Sequence, residues 1–320
     1  MKGVSAGTLN NQGISETFAT RNRRMSRIGF IGIGNMGKPM ALNLLQAGHS
    51  LKVFDLSKKA QQSLVDQGAI SATSLCDLVK ETDFVITMLP TGKEVKEIFT
   101  SPDFLSNAAN NTIFIDCSTI DVESSLDAHS LAKQGGFDML DAPVSGGTVG
   151  AKQATLTFMC GGDKKIFERC TSTLETMGKK VVYCGGPSQG QVVKICNNMV
   201  AGSIFVVTSE AFALGEKLGV DRRVIYDVIS ASSGNSWVLE NACPLPGGKP
   251  ESGKDKDFTP GFSAQLMLKD LRLSQAAAQT GGSPTPLGAA ATVAFQQHVN
   301  NGHGQLDTAS ICLLINPEIK

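Results

Sequence analysis

Arg27-Ile28-Gly29-Phe30-Ile31-Gly32-Ile33-Gly34-Asn35-Met36-Gly37 is the stretch that decides the fold. A short apolar run that ends in Gly-x-Gly-x-x-Gly and passes at once into a helical pattern is a first strand turning into a phosphate-binding helix. Gly32 permits the tight turn, Gly34 lets the backbone approach a pyrophosphate, and Gly37 lets the helix lie against the strand. With Asn35 and Met36 between them, these glycines are the candidate cofactor cradle, where unpaired amide N–H groups meet an anion. Met36, Met40, Leu44 and Ala47 continue at helical spacing, Pro39 falls in the first turn, and Gly48 can end the helix.

Leu51-Lys52-Val53-Phe54 then reads as a second strand, stopped by Asp55. An acid about 20 residues beyond the glycines accepts hydrogen bonds from the adenosine ribose and repels an added 2′-phosphate, so the expected cofactor is NAD. Lys58 and Lys59, just past it, leave room for NADP. The glycines alone could belong to an ordinary turn. Strand, helix, second strand and acid in register make them a dinucleotide site.

At 320 residues, 41% hydrophobic and 18% charged, the chain can bury a core in each of two domains. Lys plus Arg and Asp plus Glu both total 29, so no basic field gathers nucleic acid or an anionic membrane. No apolar run approaches bilayer-spanning length, and a soluble protein is expected. Its eight cysteines lie scattered in apolar segments without metal-ligand spacing, which fits reduced, mostly buried thiols in a reducing compartment and no metal. Residues 1–24 carry Lys2, Arg21, Arg23 and Arg24 against the single acid Glu16. That bias suits a mitochondrial transit peptide, and Met25 as the true start is the competing reading. The expected compartment is the mitochondrial matrix for a eukaryotic source and the cytoplasm for a bacterial one.

From Arg27 to Tyr183 strands and helices alternate, which predicts a doubly wound parallel sheet covered on both faces, an α/β Rossmann domain over 25–189. Leu89-Pro90-Thr91 and Ser118-Thr119 follow two of its strands and are candidate cofactor-facing loops, since ligands bind outside the carboxyl ends of parallel strands. Asp141-Ala142-Pro143-Val144-Ser145-Gly146-Gly147-Thr148 ends another strand, with backbone N–H groups and a hydroxyl in one concavity suited to a carboxylate. From Gly190 the pattern turns helical, over 191–218, 222–230, 264–279 and 287–299, so an all-α domain is expected over 190–320. The stretch 244–262 reads as a long loop.

Lys194 and Asn198 stand four residues apart, on one face of the first long helix. Flanked by Val192, Val193 and Ile195 near the domain junction, Lys194 would be partly desolvated, which lowers its pKa and readies it to exchange a proton. On spacing alone a solvated lysine on an amphipathic helix fits equally well.

These motifs together resemble the β-hydroxyacid dehydrogenase family over nearly everything from Arg27 onward. The resemblance is carried by the stretch Gly29 to Gly37, by Asp141 to Gly147, by Gly190 with Lys194 and Asn197-Asn198, and by Lys269-Asp270-Leu271. It implies that Lys194 is the acid/base catalyst, that Ser145, Gly146 and Gly147 hold the substrate carboxylate, and that Asn198 positions substrate. It implies further that Lys269 closes over the nicotinamide end, and that Leu89, Pro90 and Thr119 contact the cofactor. Ile86 to Thr91, Val182 to Gly185, Lys194 to Met199 and Ser232 to Trp237 are similar to the hydroxyisobutyrate branch of that family. In that branch Trp237 would wall the substrate pocket. The implied reaction is NAD-dependent oxidation of 3-hydroxyisobutyrate to methylmalonate semialdehyde, in valine catabolism. The alternatives are reduction of glyoxylate, tartronate or succinic semialdehyde on the same fold, or a non-catalytic dinucleotide-binding module. Glu94 departs from the family, where an asparagine resembles the usual residue. The four histidines fall outside every motif and are expected to be surface or packing residues, and the apolar face of 204–218 is expected to make a homodimer or homotetramer.

Overall fold

The computed structural model describes residues 25–245 and 257–318. The transit-peptide reading of 1–24 and most of the long loop lie outside them. Strand β1 (Arg27–Ile31) leads through α1 (Gly37–Gln46) to β2 (Ser50–Phe54). Then come α2 (Lys58–Val65), β3 (Ile70–Ser71), α3 (Leu75–Val79), β4 (Phe84–Thr87), α4 (Gly92–Phe99), β5 (Ile113–Asp116), α5 (Val122–Gln134) and β6 (Asp138–Asp141). β7 (Val144–Ser145), α6 (Gly147–Lys152), β8 (Leu156–Gly162), α7 (Lys164–Leu174) and β9 (Gly178–Gly185) complete the sheet. Its strand order is β3-β2-β1-β4-β5-β6-β8-β7, with β9 on β8.

Side chains along a strand alternate between faces, and here both faces are apolar because both are covered. Ile28 and Phe30 of β1, Ile86 of β4 and Ile113 and Ile115 of β5 pack with Met40 and Leu44 of α1. Ile31, Val85 and Phe114 point the other way, into a cluster with Phe99 and Phe104, whose rings sit 5.3 to 5.7 Å from one another and from Phe114.

The sheet departs from the parallel expectation at one place. β8 runs antiparallel to β6 and β7. The chain between β7 and β8 holds only the six-residue α6, too short to carry it back along the sheet face as a crossover. The eleven-residue α7 does so, and β9 returns parallel to β8.

The second domain is helical: α8 (Gln189–Lys217), α9 (Arg222–Ser230), α10 (Trp237–Ala242), α11 (Ala264–Thr280), α12 (Pro286–His298) and α13 (Cys312–Ile315). Phe205 and Phe212 of α8, Met267, Leu268 and Leu271 of α11 and Phe295 of α12 form its core. Against the expectation that nothing here would reach bilayer length, the 29-residue α8 is long and apolar enough to cross a membrane, its most apolar 18-residue stretch having a mean hydropathy of 1.4. In this fold it is the central helix of the second domain, packed on α11 and α12, with its foot on the sheet.

Candidate active site

β1 lies between β2 and β4, where the connections of the sheet reverse direction, so the crevice outside its carboxyl end is the place for a ligand. Gly32 takes φ +92°, and a Cβ there would stand 2.3 Å from the Met88 carbonyl oxygen. On Gly37 it would stand 1.9 Å from the Gly32 carbonyl, so both positions exclude a side chain. A Cβ on Gly34 would meet nothing within 4 Å, which leaves the backbone open to an incoming group. Asn35 is exposed, and Met36, the N-cap of α1, supplies no side-chain acceptor to the amides of the first turn. Asp55 Oδ2 accepts from Ile33 N at 2.7 Å and Oδ1 from Ser57 N at 2.7 Å, tying the end of β2 to the glycine turn. An open anion cradle with an acid one strand away fits a dinucleotide.

The loops after β4 and β5 are held from below and from across the cleft. Thr87 Oγ1 and Ser118 Oγ both donate to Asp116 Oδ1, at 2.7 and 2.6 Å, and Ser118 Oγ in turn accepts from Leu89 N at 2.8 Å. Burial pushes the Asp116 carboxyl up to about 6. Glu94, the residue that departs from the family, closes a capping box with Thr91 at the head of α4. From α11, Lys269 Nζ reaches over and donates to Thr119 O at 2.7 Å and Pro90 O at 3.4 Å.

Lys194 is 6% exposed, which removes the solvated alternative. Its Nζ donates to Asn198 Oδ1 at 3.1 Å, one helical turn on, and Asn197 Nδ2 donates to the same oxygen at 2.9 Å. Asn198 Nδ2 donates to Asp270 Oδ2 at 2.5 Å. Asp270 was visible in the Lys269-Asp270-Leu271 motif but had no role there; its partner lies 72 residues away, and no local spacing points to it. Asp270 Oδ1 lies 3.2 Å from Lys269 Nζ, within ion-pair range but not aligned as a hydrogen bond. Burial lowers the Lys194 pKa from its ordinary 10.5, the Asp270 carboxylate opposes that shift, and the Lys269 charge adds to it. A buried amine on a hydrogen-bonded amide, three residues along α8 from the Gln191 side chain that bonds to the loop after β5, can exchange a proton with a bound hydroxyl.

Ser145 ends β7, and Gly146 and Gly147 follow at φ +131° and +61°, conformations that side chains rarely adopt. Gly147 faces the second domain, since a Cβ on it would come 3.8 Å from Gly261 O. Trp237, the first residue of α10, is 67% exposed and so no core aromatic, and no hydrogen bond or ring contact among the described residues joins it to Lys194. The histidines have structural partners: His298 Nε2 pairs with Ser310 Oγ at 2.7 Å, and burial pushes its pKa down to about 4. His129 pairs with Asp141 at 2.9 Å.

A dinucleotide crevice closed by a helical domain that carries a buried amine defines an NAD-dependent oxidoreductase. Residues 27–186 match the family model described as the NAD binding domain of 6-phosphogluconate dehydrogenase, and 188–315 match that described as NAD-binding of NADP-dependent 3-hydroxyisobutyrate dehydrogenase. Asp55 lies in the first of these segments. The chain is 42% identical to a probable 3-hydroxyisobutyrate dehydrogenase of Mycobacterium tuberculosis, over 90% of this chain and 97% of the relative. It is also 42% identical to an NAD-dependent L-serine dehydrogenase of Pseudomonas aeruginosa, over 92% and 99%. A solved structure of the Mycobacterium tuberculosis 3-hydroxyisobutyrate dehydrogenase with L-serine superposes with a TM-score of 0.88 at 42% identity, covering 91% of this chain and 99% of that one. This chain belongs to the 3-hydroxyisobutyrate dehydrogenase family.

Proposed function

We propose that this protein oxidises the primary alcohol of 3-hydroxyisobutyrate to methylmalonate semialdehyde, a step of valine catabolism. The observation that carries the reading is the Lys194 amine, buried against Asn198 with its pKa lowered by that burial. Bound NAD+ supplies the hydride acceptor. Lys194 accepts the hydroxyl proton as the carbonyl forms, and Asn198, held by Asp270, orients the oxygen. Ser145 with the backbone of Gly146 and Gly147 anchors the carboxylate, and the exposed Trp237 walls the far side of the substrate. Anchoring the acid end at a fixed distance from the reacting carbon makes the encounter effectively intramolecular.

A second reading is L-serine, which has the same hydroxymethyl group beside a carboxylate and an amine where hydroxyisobutyrate has a methyl. The relative named for L-serine and the complex with L-serine favour it. Steady-state assays with 3-hydroxyisobutyrate, L-serine and glyoxylate, each with both cofactors, decide the matter. We expect kcat/KM for 3-hydroxyisobutyrate with NAD+ to exceed that for L-serine by at least about tenfold, the usual order for one pocket group. A preference for L-serine, or turnover confined to glyoxylate with a reduced cofactor, overturns the assignment.

The same reading includes a second copy of the chain. Val193, Val200, Val207 and Leu214 are all exposed on α8 at seven-residue spacing, a seam of the kind that packs against another helix. Sedimentation velocity should show a dimer or tetramer, and Val207→Lys should shift it toward monomer. A wild-type chain that sediments as a monomer at micromolar concentration refutes self-association.

A further inference from the structure

Asp141 ends β6 fully buried, and its carboxylate has no part in the proton transfer described above. Oδ1 accepts from Ser188 N at 2.8 Å, and Oδ2 accepts from Gln191 N at 3.0 Å, both at the head of α8. His129 Nε2, from α5, makes the third contact, to Oδ1 at 2.9 Å. A helix head carries unpaired N–H groups at the positive end of its dipole. Ser188, the N-cap of α8, sits at φ +67° and supplies no side-chain acceptor of its own. A strand carboxylate therefore caps this helix from outside.

The space for that carboxylate is built in. A Cβ on Gly190 would stand 2.6 Å from Asp141 Oδ2 and 2.2 Å from Met159 O, and one on Gly161 would stand 2.6 Å from Oδ1. Any side chain at either glycine would push the helix head off the acid. In the same turn Gln191 Nε2 donates to Ser118 O at 2.8 Å, while its Oε1 accepts from Ile120 N at 3.1 Å. The foot of α8 is thereby fixed to the loop that carries Thr119. Lys194 stands on the same helix, three residues and so slightly less than one turn beyond Gln191.

We propose that Asp141 is a positioning residue: by holding the head of α8 it keeps the Lys194 amine at the reacting hydroxyl, and it acts on turnover only through that lysine. The proposal rests on the reading of Lys194 as proton acceptor. A plain folding role would lower the yield or melting temperature of the enzyme. A positioning role lowers kcat in the folded enzyme and leaves cofactor affinity alone.

The test is a double-mutant cycle on the full chain, Asp141→Asn with Lys194→Ala, reading kcat for 3-hydroxyisobutyrate and the Kd of NADH. Asparagine keeps the size but sets an NH2 group against a helix N–H. Asp141→Asn should lower kcat by about a hundredfold, the cost of misplacing a catalytic group by roughly an ångström. Kd of NADH should stay within about threefold. In the Lys194→Ala background the same change should add less than about threefold, because its route of action is gone. Equal losses in both backgrounds overturn the proposal and leave the lysine reading standing, whereas full turnover by Lys194→Ala removes both. If Asp141→Asn yields no folded enzyme, His129→Leu carries the test. It should lower kcat by about tenfold with the same dependence on Lys194, and His129→Gln, which can still donate to Asp141, should restore it. Wild-type kcat in His129→Leu then overturns the proposal.

Discussion

Lys194→Ala is expected to lower kcat by about 10²–10⁴-fold, the range that a positioned acid/base group contributes. NADH binding should be nearly unchanged, since among the described residues the lysine bonds to Asn198 and not to the glycine cradle. The wild-type pH profile provides the second half of this prediction. As proton acceptor in the oxidation, the amine must be neutral, so kcat rises with pH through an inflection. Burial places that inflection below the ordinary lysine value of 10.5. Asp270 favours the charged form, so Asp270→Asn should move the inflection to lower pH, and Lys269→Met should move it higher. A steady-state series over pH measures both shifts. Near wild-type turnover in Lys194→Ala, or an alkaline inflection that ignores both neighbours, would show that the proton goes elsewhere.

The second large effect is expected at Asp55. Its carboxylate already holds Ile33 N and Ser57 N, so Asp55→Ala removes both the brace of the glycine turn and the proposed acceptor for the ribose. Charge-assisted hydrogen bonds contribute about 1.5–3 kcal/mol each, so the Kd of NADH should rise by about 10- to 100-fold. Affinity for NADPH should fall less or even improve, because the charge that repels a 2′-phosphate is gone. Fluorescence titration with both reduced cofactors measures the ratio. An unchanged preference would mean that discrimination lies outside this acid.

What the sequence revealed follows from which forces are local. The turn from β1 through the glycines to Asp55 spans few residues, and helical or alternating periodicity there fixes the element types before any long-range contact forms. The α9 bounds, Arg222–Ser230, likewise follow from an unbroken period with Asp221 as cap. The direction of β8 is not legible, because alternation reads the same in parallel and antiparallel strands. α10, six residues long, is too short to show a helical period. In the site, Lys194 with Asn198 is a four-residue spacing and was readable. Asp141 and Asp270 stood in plain motifs, but their partners lie 50 and 72 residues away, where only the folded chain can bring them together.

The helix that carries the amine starts within the sheet domain, so the joint between the two halves is a rod clamped at its foot. At 1.5 Å per residue α8 is about 43 Å long, and Lys194 stands only about 7 Å above the clamp. Were the distal bundle to sway by about 4 Å at the tip, a stiff lever of those proportions would carry the amine by about 0.7 Å. The outer helices could thus breathe as cofactor enters and leaves while the chemistry at the fulcrum stays in register.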